Sequence, residues 1–139
     1  MAMRAGVRFR VDFEDVFPAG AYVTSGVEAV RDFDAKSARD DQKRDRSGTR
    51  LWQVRVIDAD PEARTSEVKV KIAAEHQPVP PDAMVGAPFR PVEFTGLWVV
   101  PYIDERGSRA RLAFSLYAEG MRAPGTVKPV RPVASAGAA

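Results

Sequence analysis

Leu51-Trp52-Gln53-Val54-Arg55-Val56-Ile57-Asp58 puts Trp52, Val54 and Val56 on one face and Gln53 and Arg55 on the other. That period of two is the mark of a half-buried strand. The stretch before it, residues 34–50, is a dense mixed-charge loop. It sets Lys36, Arg39, Lys43, Arg44, Arg46 and Arg50 against Asp34, Asp40, Asp41 and Asp45, with nothing apolar larger than alanine. Such a segment cannot enter a core, and it closes on Ser47-Gly48, a turn signal. A basic loop feeding a strand that itself carries a cation is one way a small barrel grips a polyanion. Charge runs are more often simply solvated.

The same alternation recurs on both sides. Residues 7–13 place Val7, Phe9, Val11 and Phe13 opposite Arg8, Arg10 and Asp12. Residues 21–33 read as a longer strand, bent near Ser25-Gly26 where a glycine suggests a bulge. Residues 67–73 point Val68, Val70 and Ile72 one way and Lys69 and Lys71 the other. Residues 75–91 are proline-rich and predict a surface crossover. Residues 92–103 form a strand with a bend at Gly96, and 104–107 a hairpin turn into a last strand over 108–118. From Glu119 onward the chain has too little bulk to order itself. The expectation is an all-β domain over residues 1–118, a small OB-like Greek-key barrel of five to six strands, with a flexible tail over 119–139.

A chain of 139 residues can bury a core without staples. With no cysteine, disulfides, thiolate catalysis and cysteine-bound zinc are excluded. The first residues lack the apolar centre of a signal peptide, and no apolar run reaches the roughly 20 residues of a membrane span. A cytoplasmic protein is expected. The net charge of +2 says little, but its distribution says more, since bases gather in the loop, at mid-strand positions and in the tail.

Catalysis has little to stand on. His76 is the only histidine, and there is no nucleophile elbow or phosphate-cradling glycine loop. Asp58, Asp60 and Glu62 alternate, but Pro61 intrudes and no later acid completes a calcium set. The chain is therefore read as no enzyme, with no cofactor and no metal. What remains is cations and rings on polar strand faces. Arg55, Lys69, Lys71 and Arg111 form one patch if their strands are neighbours, and Trp98 and Tyr117 offer rings for base stacking. With Lys43, Arg44, Arg46 and Arg50 of the loop, these are the candidate nucleic-acid-binding residues.

Longer stretches carry a resemblance. They are Phe13-Glu14-Asp15-Val16-Phe17-Pro18, Val30-Arg31-Asp32-Phe33-Asp34, the Trp52 strand through Ala63, Ala74-Glu75-His76-Gln77-Pro78-Val79-Pro80, and Pro88-Phe89-Arg90-Pro91-Val92-Glu93-Phe94. Together they resemble the plasmid replication, integration and excision activators of actinobacterial integrative and conjugative elements, over residues 7–125. The resemblance implies a part in excising and replicating a mobile element. It brings no catalytic or binding residues with it. The Trp52 strand after its charged loop is also similar to strands of single-stranded-DNA-binding OB proteins of small mobile elements. No helix-turn-helix is visible, so a non-catalytic accessory on single-stranded DNA is the expected role. Other expected partners are replication or excision proteins, and a further copy of the chain. The alternative is a β-barrel adaptor that recruits a replication or excision factor without touching DNA.

Overall fold

A computed structural model describes residues 7–32, 41–63, 66–86 and 88–125. They form β1 (Phe9–Arg10), α1 (Phe13–Val16), β2 (Ala21–Val23), β3 (Glu28–Ala29), β4 (Leu51–Asp58) and β5 (Glu67–Ala73). β6 (Arg90–Thr95), β7 (Trp98–Asp104), β8 (Arg111–Ala118) and β9 (Gly120–Arg122) follow. The protein is nearly all β, since the one helix among the described residues has four residues. No helix of the described residues is long and apolar enough to cross a membrane.

Among the described residues there are nine strands rather than five or six. Two of the extra ones come from bends in runs that the sequence presents as continuous, and the third is β9. Residues 21–33 break after Val23 into β2 and β3, and the 92–103 run breaks at Gly96-Leu97 into β6 and β7. Gly96 has φ +58, a left-handed backbone that favours glycine, and a Cβ there would push aside the exposed Glu119 side chain. The 7–13 alternation yields only Phe9–Arg10 as strand. Phe13, Val16 and Phe17 are spaced for one helical face, and a single turn lets the Phe13 and Phe17 rings pack at 5.4 Å and meet Phe94 at 6.2 Å.

β9 lies beyond residue 118, in the stretch expected to be tail. Gly120 to Arg122 gain order by pairing with β6, and Arg122 Nε bonds Glu93 Oε1 at 3.2 Å. Residues 126–139 lie outside the described residues, so the rest of the tail expectation is not addressed.

The sheet order is β1-β7-β8-β5-β4-β2-β6-β9, with β3 also on β4. Among the described strands every pairing is antiparallel except β5 with β8. The sheet curls around one core. The register Val54↔Val70↔Leu116↔Val99 carries its inward row, and Phe17, Val23, Val56, Ile72, Val92, Phe94 and Leu97 complete it. Full burial of each such side chain contributes about 1.5–3 kcal/mol. β5 meets β8 only over Val70–Ile72 and Leu116–Ala118. Below that pairing Glu67-Val68 and Arg111 to Phe114 have no ladder partner between them, and the wall of the curl is open.

Candidate nucleic-acid interface

One outward-facing row crosses the sheet one residue out of phase with the core. It runs Glu28↔Gln53↔Lys71↔Tyr117↔Trp98↔Arg10 over β3, β4, β5, β8, β7 and β1. Within it the Trp98 and Tyr117 rings stack at 5.5 Å with only 4° between their planes. The Arg8 guanidinium sits 5.2 Å from the Trp98 ring centre, and the Lys71 ammonium 5.4 Å from that of Tyr117. The strand order places the two cations at opposite ends of the ring pair. Each such cation–ring interaction contributes about 0.5–1 kcal/mol where water still reaches it.

This arrangement leaves little of the Trp98 ring open to a base. Trp98 is only 7 % exposed, on the outer face but under Arg8 and against Tyr117. Tyr117 is half-buried, with Trp98 and Lys71 on its ring. Both aromatics are bound up in a structural column. Trp52, on the core-side parity, is likewise occupied, its Nε1 donating to the Ala74 carbonyl at 2.8 Å.

The cations fare differently. Lys69 stands opposite Arg55 on β4, two residues from Lys71 on the same face. Burial lowers the pKa of the Lys71 ammonium below its ordinary value, and the charges of Lys43 and Lys69 lower it further. The loop lysine and the two strand lysines therefore converge. Among the described residues none of Lys43, Arg55, Lys69 and Lys71 is in an ion pair. Concentrated, uncompensated positive charge of this kind is what an anionic ligand relieves.

The charged loop is not a loose arm over its described part. Ser47 N–H and Thr49 N–H both donate to Asp45 Oδ1 at 2.9 Å, and Gly48, at φ +84, donates to the Asp45 carbonyl. Arg31 pairs with Asp41, and Arg44 and Arg50 face each other across a bridge. Arg44 holds the Gly48 carbonyl at 2.8 Å and Arg50 holds Gln42 Oε1 at 3.1 Å. Lys43 joins the lysine group, Arg44 and Arg50 brace the turn, and Arg46 is exposed on it. Residues 33–40, with Lys36 and Arg39, lie outside the described residues.

Arg111 closes the other side. The β7–β8 hairpin projects past the end of β5, and its tip holds a bidentate pair in which Arg106 Nε and Nη2 meet the Asp104 carboxylate at 3.0 Å. That fork, with help from Arg111, holds the Asp104 carboxyl down at about 2. Arg106 is thus spent on Asp104, while Arg111 makes no ion pair among the described residues. The opening between hairpin and β5 is a trough lined by Gln53, Lys69, Lys71, Tyr102, Arg111 and Ser115, among others. It unites three of the strand cations named from sequence. It also adds Tyr102, 41 % exposed, as the ring on this face that a base can reach. Tyr102 shares Trp98's parity, but parity does not say which of the two is capped. Arg8 and Arg10 escape sequence reasoning because they sit in a run that reads only as strand.

Among the described residues no group of three or more histidine, cysteine, aspartate or glutamate side chains is placed to hold a metal ion. No family model, curated protein or solved structure matches the chain.

Proposed function

We propose that this chain is a non-catalytic accessory protein that binds single-stranded DNA across the outer face of β4 and β5 and the trough beside them. The observation that carries the reading is the convergence of Lys43, Lys69 and Lys71 beside Arg55, with no carboxylate neutralising them among the described residues. The phosphates follow these cations, and Tyr102 supplies a stacking surface at the trough's far wall.

The strand pairing supports an OB-type barrel as the scaffold. β2 with β3, β6 with β7, and β8 with β9 each act as one bent strand. Read so, the neighbours run β2/β3, β4, β5, β8/β9, β6/β7 and back to β2, a five-stranded Greek-key order. β4 and β5 then stand where such barrels present their second and third strands. The charged loop and the 105–110 hairpin tip stand where they present their two binding loops. The resemblance to the replication, integration and excision activators supplies the setting, strands exposed while a mobile element is copied or excised.

The test is a fluorescence-anisotropy titration with single-stranded DNA, duplex DNA and RNA of matched length at graded salt. Binding that favours the single strand and weakens steeply with salt is expected. Absence of salt-sensitive binding to any of the three sinks the reading. One observation favours a second reading, that of an adaptor. Ile103, Leu112 and Phe114 are 58, 60 and 55 % exposed on one side of the projecting hairpin, an apolar patch that phosphates do not need.

A further inference from the structure

We infer that the gap between β5 and β8 is a strand-accepting slot for an extended peptide of alternating apolar and acidic side chains from another protein. The inference deepens the adaptor reading and does not depend on DNA binding.

Three observations meet at the gap. The first is backbone. β8 pairs with β7 along its whole length but with β5 only from Leu116 onward. The edge over Arg111 to Phe114 is therefore unpaired on the β5 side, and Glu67-Val68 is unpaired opposite it. Such an edge is a template for another strand. Native edges are usually blunted by proline or an inward charge, and this one carries Leu112, Ala113 and Phe114 instead.

The second is the inner wall. Leu112 and Phe114 lie on the core-side parity, and Val68 lines the same gap from β5. Ile103 stands directly opposite Leu112. A strand laid along β8 would send alternate side chains onto this apolar surface. The third is the outer wall, where Arg111, Lys69 and Lys71 outnumber the one acid beside them, Glu67, and no ion pair engages these cations among the described residues. The intervening side chains of the incoming strand would meet these cations, so acids are selected there. Apolar inward and acidic outward at a period of two is the pattern one strand satisfies.

The same charges argue against a second copy of the chain as the occupant. Antiparallel self-pairing centred on Ala113 sets Arg111 of one copy opposite Ser115 of the other, on the face and at the gap that Lys69 and Lys71 also line. The cations Arg111, Lys69 and Lys71 of both copies would gather there, with only Glu67 and the Arg106-bound Asp104 as carboxylates among the lining residues.

The experiment is an amide-resolved NMR titration of the full chain with a short capped peptide of alternating valine and glutamate. The comparison peptides are a valine–lysine alternation and a block peptide with all valines before all glutamates. Shifts confined to the amides of residues 67–69 and 111–115 are expected with the first peptide and not with the others. Replacing Leu112→Ser with Phe114→Ser should weaken that binding about tenfold or more. Both side chains are more than half exposed, so the fold should persist. Absence of shifts, equal binding of the block or lysine peptide, or indifference to the serine pair overturns the inference. A dimer in sedimentation velocity that the serine pair dissolves assigns the slot to a second copy and overturns it too. Loss of oligonucleotide binding with peptide binding intact sinks only the DNA reading.

Discussion

Lys71→Met removes the charge at the centre of the basic face and keeps the aliphatic stem between Gln53 and Tyr117. The substitution forfeits one cation–ring interaction, about 0.5–1 kcal/mol. In return it relieves the burial of a charge and the repulsion from Lys43 and Lys69. These oppose each other, so the variant should lie within about 1 kcal/mol of the parent in urea denaturation near neutral pH. The pH dependence separates them. The folded-state pKa of Lys71 is lowered from 10.5, so the unfolded chain binds more protons between the lowered value and 10.5. The penalty for folding with this lysine charged is full below that window and is lifted as pH rises through it. The stability of the parent relative to Lys71→Met should therefore climb across the window. Binding gives a second readout. Each phosphate of a single strand that is no longer neutralised flattens the log–log salt slope by about 0.7. Over a fourfold change in salt the variant should then lose about 2.6-fold less affinity than the parent. An unchanged slope together with a stability difference flat in pH would refute the lysine cluster as both a strained and a binding element.

Trp98→Ala should cost about 3 kcal/mol in chemical denaturation, since a 7 % exposed indole with a stacked tyrosine leaves a cavity. A cost under about 1 kcal/mol would mean that the column does not pack as described. Gly96→Ala should destabilise by about 1–2 kcal/mol through its left-handed backbone alone, and should displace Glu119 from Arg10, which a shift of the Glu119 carboxyl resonance would report. Asp45→Ala removes the acceptor of two backbone N–H groups and should cost about 1.5–3 kcal/mol at the loop. It should also weaken oligonucleotide binding, because Lys43 then loses its fixed position; unchanged anisotropy would exclude the loop from the interface.

The inward faces of β4 and β5 are legible, because Val54, Val56, Val70 and Ile72 alternate with polar residues, although Leu51, on the outward parity of β4, is buried as well. The bend at Gly96 is legible too, since a glycine inside a strand pattern has few other uses. What sequence cannot supply is the partner across the sheet. Alternation sets Trp98 apart from Leu97 but cannot say that Arg8 and Tyr117 cap it. Phe13, Val16 and Phe17 satisfy a helical spacing that the alternation of residues 7–13 masks. Gly120 to Arg122 become strand through β6, a pairing that no local property of those residues announces. Asp45 reads as a neutralising charge in a solvated run, and its carboxylate is instead the hub of a turn.

The attachment of β1 to β7 orders the assembly of the molecule in time. β4 and β5 join through a short turn, so they can find each other while the chain is still collapsing. β1 cannot dock until β7 exists, and Arg10 touches Glu119 across a separation of 109 positions. Loop closure over so long a stretch is a late event unless the intervening strands have already shortened it. During synthesis the amino-terminal strand would wait for nearly the whole domain to emerge. The side of the Trp98 indole that Arg8 caps would stay uncovered until then.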